Sequence, residues 1–209
     1  MAQTSHHTHN GCRIVLASSS PYRKEQLEQL GLNPECIAPN VDESEIPDET
    51  PRDMAIRLSE KKAQSVASKL NGNAIIIAGD QTACLEGQRL RKPGNFNNAC
   101  DQLRGCSGRT LSFHSGLCVH DRHSGKQQTL CVETRVSFRT LSDRQIEAYI
   151  KKEQPYNCVG AFKCESLGIG LFDKIESEDP SALMGVPLIS LSKALFEFGL
   201  DILSDHITI

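Results

Sequence analysis

Residues 14–24 constrain the fold more than any other stretch. Ile14, Val15 and Leu16 form a short apolar run that breaks into Ser18, Ser19, Ser20 and Pro21, followed by the cations Arg23 and Lys24. An amphipathic segment then runs to Gly31. Ser20 suits an N-cap, because its hydroxyl can accept from an unpaired amide one turn on. Pro21 suits the first helical position, where a missing N–H costs nothing. The stretch therefore reads as strand, tight serine-rich turn and helix. Exposed amides, hydroxyls and the positive end of the helix dipole together favour an anion. Cations in a first turn are unfavourable unless something negative lies nearby, so the turn reads as a phosphate cradle. A capped surface helix with solvated cations has the same pattern, and no glycine-rich nucleotide motif accompanies it.

Bulk properties narrow the partners. A chain of 209 residues suits one large domain or two tightly joined lobes. The hydrophobic fraction of 38% can supply a core, but no apolar run approaches a membrane span. The N-terminal residues lack an apolar signal region, which favours a cytoplasmic protein. A formal charge of −3 argues against a broad nucleic-acid surface, while a small anion held by local cations is compatible with it. The nine cysteines show no C-x-x-C pair and no zinc spacing, so they read as small buried hydrophobes. Residues 1–12, with His6, His7 and His9 among polar neighbours, read as a disordered leader. Residues 13–209 form the expected domain.

Along the chain, 13–17 is the first strand and 20–30 the first helix, closed by Gly31. A short strand over 36–38 precedes an acidic loop, 40–49, which reads either as solvated surface or as a source of hard oxygen ligands from Asp42 and Glu43. Thr50-Pro51-Arg52-Asp53 opens a helix expected to reach about Leu70, with Lys61 and Lys62 near its middle. Residues 74–79 are the most buried-looking strand, and they end on Asp80 and Gln81. An unpaired carboxylate beside such a strand is costly, whereas acids at strand ends of α/β folds often serve ligands. A turn at Glu86-Gly87 then returns Arg89, Leu90, Arg91 and Lys92 toward Asp80.

The spacing next predicts a helix over 97–104 and a hairpin of strands 110–119 and 129–139. Ser142-Asp143-Arg144-Gln145 is a capping box for a helix through Lys152. Residues 160–165 have the mixed character of a binding edge. A strand over 169–175 and a helix over 187–198 complete the chain.

Four separated pieces resemble the Maf family of nucleotide pyrophosphatases. They are Ser18-x-Ser20-Pro21-x-Arg23, Arg57-Leu58-x-x-x-Lys62-Ala63, Gly79-Asp80-Gln81 and Lys92-Pro93, and Gly185-Val186-Pro187-Leu188 is a fifth. The details resemble the branch that hydrolyses 7-methyl-GTP: Tyr22 after Ser-Pro, Gln81 after the central aspartate, and Phe162-Lys163-x-Glu165. Tyr22 departs from a common Trp, and Lys24 from a second Arg. The resemblance implies an α/β fold of Maf/ITPase-like type, an elongated mixed β-sheet flanked by helices, with two lobes and a cleft between them. It implies hydrolysis between the α and β phosphates, with Asp80, Glu43, Lys62 and Lys92 as catalytic residues. Glu43 and Asp80 would hold Mg²⁺ or Mn²⁺. Ser18, Ser20, Tyr22, Arg23, Gln81, Phe162, Lys163 and Glu165 would bind the nucleotide. A methylated guanine is cationic, which suits stacking on Tyr22 or Phe162 and attraction to Glu165. A homodimer is a further expectation from the resemblance. Two alternatives stay open at this level: the same reaction on dTTP and UTP, or a nucleotide-sensing regulator of cell division without turnover.

Overall fold

A computed structural model describes residues 8–9 and 12–204 of the protein. Most of the expected leader, 1–7 with 10 and 11, lies outside the described residues. The backbone of β1 (Thr8–His9) pairs antiparallel with β2 (Cys12–Leu16). Helix α1 (Pro21–Gln29), β3 (Glu35–Cys36), α2 (Pro51–Ala67), β4 (Ala74–Leu85) and β5 (Gln88–Leu90) follow. The second half contains α3 (Phe96–Cys106), β6 (Thr110–Asp121), β7 (Gln127–Phe138), α4 (Asp143–Glu153), β8 (Phe172–Ser177) and α5 (Leu188–Glu197). The strands make one mixed sheet in the order β1-β2-β4-β6-β7-β8, with β3 attached to β2 and β5 to β4.

The all-apolar run in β4 is explained by helices on both faces of the sheet. Alternation divides its side chains. Ile75 and Ile77 join Ile14, Leu16, Leu117 and Val119 beneath Leu27 of α1 and Leu191, Ala194 and Leu195 of α5. Ala74, Ile76 and Ala78 join Val15, Ala17 and Cys118 beneath Ala63 and Val66 of α2. A third core, built on Phe113, Phe138, Phe162, Leu103 and Ile150, fills the other lobe between the far half of the sheet and α3 and α4.

Local signals set most helix ends. Thr50 Oγ1 accepts from Asp53 N at 3.1 Å, and Ser142 with Gln145 forms the expected capping box. Helix α2 stops at Ala67, short of Leu70, and Ser68 Oγ turns back to donate to Ser65 O. The strand expected over 169–175 is a 3₁₀ turn from Leu167 to Leu171 followed by β8. Gly168 explains the turn: a Cβ there would lie 2.2 Å from Lys163 O, so the backbone folds tightly against residue 163. Among the described cysteines, all free, Cys100, Cys106 and Cys118 are buried as expected, whereas Cys84, Cys131, Cys158 and Cys164 are partly exposed and Cys36 is exposed.

Candidate active site

Asp80 is not at a strand end. β4 continues without interruption through Asp80 to Leu85. What ends there is its neighbour. β2 pairs with β4 only as far as Leu16 opposite Ile77, and β5 pairs with it only from Ala83, opposite Leu90, to Leu85, opposite Gln88. Residues 78–82 are left with a gap on that edge, and the chain leaving β2 enters the serine turn beside it. The sheet thus creates a switch point, the place where α/β folds bind ligands. A cavity of about 1010 Å³ opens at this gap, near the upper end of the roughly 300–1,000 Å³ of small-molecule sites.

The turn at the head of α1 is organised by Ser18 rather than Ser20. Ser18 Oγ accepts from Ser20 N at 3.1 Å and from Arg23 Nη1 at 3.4 Å. Ser20 occupies the N-cap position, but its hydroxyl makes no cap bond and borders the cavity. Arg23 Nε donates to Gly185 O at 3.4 Å. Burial lowers the Arg23 pKa, and the Asp80 and Glu43 carboxylates oppose that shift. No described carboxylate lies within ion-pair distance of Arg23. A partly desolvated guanidinium beside open amides is a place for an anion.

Alternation along β4 turns Asp80 toward α2. There Lys62 Nζ donates to Asp80 Oδ1 at 2.6 Å and to Glu43 Oε1 at 2.6 Å. The Lys62 side chain is 7% exposed and that of Asp80 10%, whereas Glu43 is more open. Burial alone would raise the Glu43 pKa; the Lys62 ammonium, with Arg23 and Lys92 farther off, holds it below the usual carboxylate value. Ser59, one turn from Lys62, accepts from Asp80 N at 2.9 Å while donating to Ala55 O. Helix and strand can approach this closely because residue 116, opposite Asp80, is glycine. A Cβ on Gly116 would lie 2.3 Å from Ala55 O.

Lys92 is exposed and borders the same cavity as Asp80, where the turn after β4 was expected to bring it. Tyr22 is half-buried in the wall, and its phenol is pushed up to about 12 by burial and by the neighbouring Cys158 thiol. Glu165 stands exposed at the rim. Phe162 is a core ring, 5% exposed, packed edge-on against Phe113, Phe138 and Phe172, and only its margin reaches the cavity. Of the expected binding edge over 160–165, the first half, Gly160 to Phe162, is therefore core. Lys163 is not part of the cavity wall. Its Nζ donates to Glu153 O at 2.9 Å, satisfying a carbonyl at the end of α4. Gln81 borders the cavity, but its amide is committed: Nε2 reaches Ser115 Oγ, Ala182 O and Leu183 O at 2.9–3.2 Å.

Several supporting residues have roles that a reading of the sequence does not reveal. Arg57 clamps both Glu49 oxygens and donates to Ser44 O at 3.1 Å, which fixes the loop carrying Glu43. Gln26 pairs with the Val186 backbone through Oε1 and Nε2, tying α1 to the Gly185 turn. A paired acid six residues from Glu43 is a weak local signal, since many surface loops have one. Among the described residues no group of three or more His, Cys, Asp or Glu is placed to hold a metal.

A mixed sheet that opens onto a cation-lined cavity at its switch point places the protein among α/β proteins that bind small polyanions. More narrowly, the chain belongs to the Maf-like protein family, whose pattern matches residues 13–198. It is 48% identical over 191 residues to the 7-methyl-GTP pyrophosphatase of Pseudoalteromonas translucida, spanning 91% of this chain and 94% of that one. The 7-methyl-GTP pyrophosphatase of Bordetella pertussis is 46% identical, with 93% and 96% covered. That of Burkholderia pseudomallei is 44% identical, with 91% and 89% covered. Among solved structures, the Staphylococcus aureus Ham1 protein matches with a TM-score of 0.48 and 14% identity, over 90% of this chain and 99% of that one.

Proposed function

We propose that the protein hydrolyses the α–β phosphoanhydride of 7-methyl-GTP, releasing 7-methyl-GMP and pyrophosphate. The observation that carries this reading is the buried Lys62 gripped by Asp80 and Glu43 at the gap in the sheet, in a chain nearly half identical to 7-methyl-GTP pyrophosphatases. The serine turn, Arg23 and Lys92 bind and orient the phosphates through charge-assisted hydrogen bonds. Lys62 holds Asp80 through Oδ1, and no described donor reaches Oδ2. Asp80 Oδ2 is thus available to orient a water and accept its proton as the water oxygen bonds to the α-phosphorus. The bridging oxygen leaves with the bonding electrons as pyrophosphate.

Glu43 and Asp80 are the residues that would hold a divalent cation. Lys62 draws the two carboxylates together, and two such hard donors suit Mg²⁺ or Mn²⁺, which take one or two carboxylates together with water and phosphate oxygens. Such a cation would supply charge neutralisation on the phosphates. Tyr22 and Glu165 border the space for the base, and a cationic methylated guanine meets an aromatic face and a carboxylate there. A cytoplasmic location agrees with such a substrate.

The test is pyrophosphate release from a panel of 7-methyl-GTP, GTP, dTTP and UTP, with and without Mg²⁺ and after chelation. Preferred, metal-dependent turnover of 7-methyl-GTP supports the reading. Preference for the pyrimidine nucleotides, or binding without turnover, refutes it.

A further inference from the structure

Two guanidinium groups at the rim of the cavity have no part in the chemistry above. Arg89 lies in β5 and Arg91 just beyond it, and both border the cavity together with Lys92. Arg89 Nη1 and Arg91 Nη2 each donate to Glu45 Oε1 at 2.9 Å. One carboxylate oxygen thus gathers two guanidiniums, and the local charge stays positive. Arg89 Nε is shut off from solvent and makes no hydrogen bond with any described residue. A buried donor of this kind calls for a further acceptor. The carboxylate that gathers the pair is itself weakly held. Side chains of Glu45 and Arg91 are 49% and 75% exposed, and exposed ion pairs contribute little net stability.

We propose that Arg89 and Arg91 form a second anion subsite that receives the terminal phosphoryl groups of the nucleoside triphosphate, with Glu45 occupying it when no substrate is bound. This inference rests on the pyrophosphatase reading above. Of the cations near Asp80, Lys62 is already committed to two carboxylates. Beyond Arg23, Lys92 and the divalent cation, Arg89 and Arg91 are the further positive charges that border the cavity. Guanidinium forks match phosphate oxygens in geometry and bind them bidentately. Arg91 directly precedes Lys92, so the pair extends the cationic row outward from Asp80. Glu45 lies two residues from Glu43 on the loop that Arg57 fixes, which keeps the competing carboxylate close by. Its return displaces the bound group, so the same contact sets how tightly pyrophosphate is retained.

Calorimetric titration of the full chain with inorganic pyrophosphate, and separately with inorganic phosphate, tests this. In the double variant Arg89→Gln, Arg91→Gln, pyrophosphate affinity should fall about ten-fold, as expected for lost charge-assisted bonds. Phosphate affinity, set by the serine turn and Arg23, should not change. Glu45→Gln should bind pyrophosphate several-fold more tightly, because the competing charge is gone. Unchanged pyrophosphate affinity in the double variant, or equal loss for both anions, overturns the subsite. So does a wild-type chain that binds no pyrophosphate. A chain with arginine-dependent pyrophosphate binding that hydrolyses no nucleotide overturns the enzymatic reading instead and leaves the subsite standing.

Discussion

Lys62 Nζ donates to Asp80 Oδ1 at 2.6 Å with both side chains nearly closed off from water. Removing either partner from such a pair has unequal consequences. Lys62→Ala leaves the Asp80 carboxylate buried and unpaired, and should cost about 3–5 kcal/mol in denaturant unfolding. Asp80→Asn leaves Lys62 its bond to Glu43 and should cost less. Turnover should still fall by roughly 10²-fold or more, because the proton acceptor is lost. Near-wild-type kcat in Asp80→Asn would remove Asp80 from the centre of the reaction.

Glu43 should shape the acid limb of stability. Its folded pKa is lowered, chiefly by Lys62 acting against the effect of burial. A depressed carboxylate contributes stability that is fully present above its unfolded pKa, about 4.3, and lost as pH falls through the lower folded value. The difference in unfolding free energy between wild type and Glu43→Gln should therefore be constant near neutrality and shrink below about pH 4. A difference that does not change with pH would mean that Lys62 does not act on Glu43 in solution.

Gly116→Ala should disturb the site from a distance. The added methyl would meet Ala55 O at 2.3 Å and Ser59 Oγ at 2.6 Å, so α2 must lift. Overpacking of this kind costs about 1–3 kcal/mol. Because α2 carries both Lys62 and Ser59, kcat should fall as well, and thermal unfolding with steady-state kinetics reads both effects. A variant that loses stability but keeps kcat would show that α2 can shift without misplacing Lys62.

The base-binding assignments separate cleanly. Glu165→Gln should reduce the preference for 7-methyl-GTP over GTP by up to about ten-fold, since only the methylated ring offers a charge to oppose. Tyr22→Ala should raise KM for both nucleotides, since it removes the half-buried ring from the wall. Lys163→Ala should leave kcat/KM unchanged for both, because its ammonium serves the end of α4. Kinetics of the three variants on the two substrates decide each point, and a selectivity change in Lys163→Ala would place that side chain in the pocket.

Gln81→Ala should act on stability. Losing the bonds from Nε2 to Ser115 and to the Ala182 and Leu183 carbonyls should cost about 1–2 kcal/mol. It should also loosen the turn that leads to Gly185, the residue that accepts from Arg23. An unfolding curve that matches wild type would show those bonds to be dispensable.

The sequence by itself determined whatever depends on neighbours within one turn or one pleat. The two-faced apolar run of β4, the caps at Thr50 and Ser142, and the serine turn before Pro21 are periodic or short-range features, and their chemistry acts locally. It also determined which residue types the site could contain, because an acid beside a buried strand has few bland explanations. Tertiary structure alone decided how those residues meet. Asp80 lies beside the cavity because pairing with β2 and pairing with β5 stop on either side of it, and strand ends on neighbouring chain segments leave no mark in β4. Ser18 displaced Ser20 as the organiser of the turn once Arg23 was placed beside it. Lys163 found a carbonyl on α4, and Phe162 found three other rings. A long side chain or a ring takes whatever partner the packing supplies, and that partner is set by residues far away in the chain.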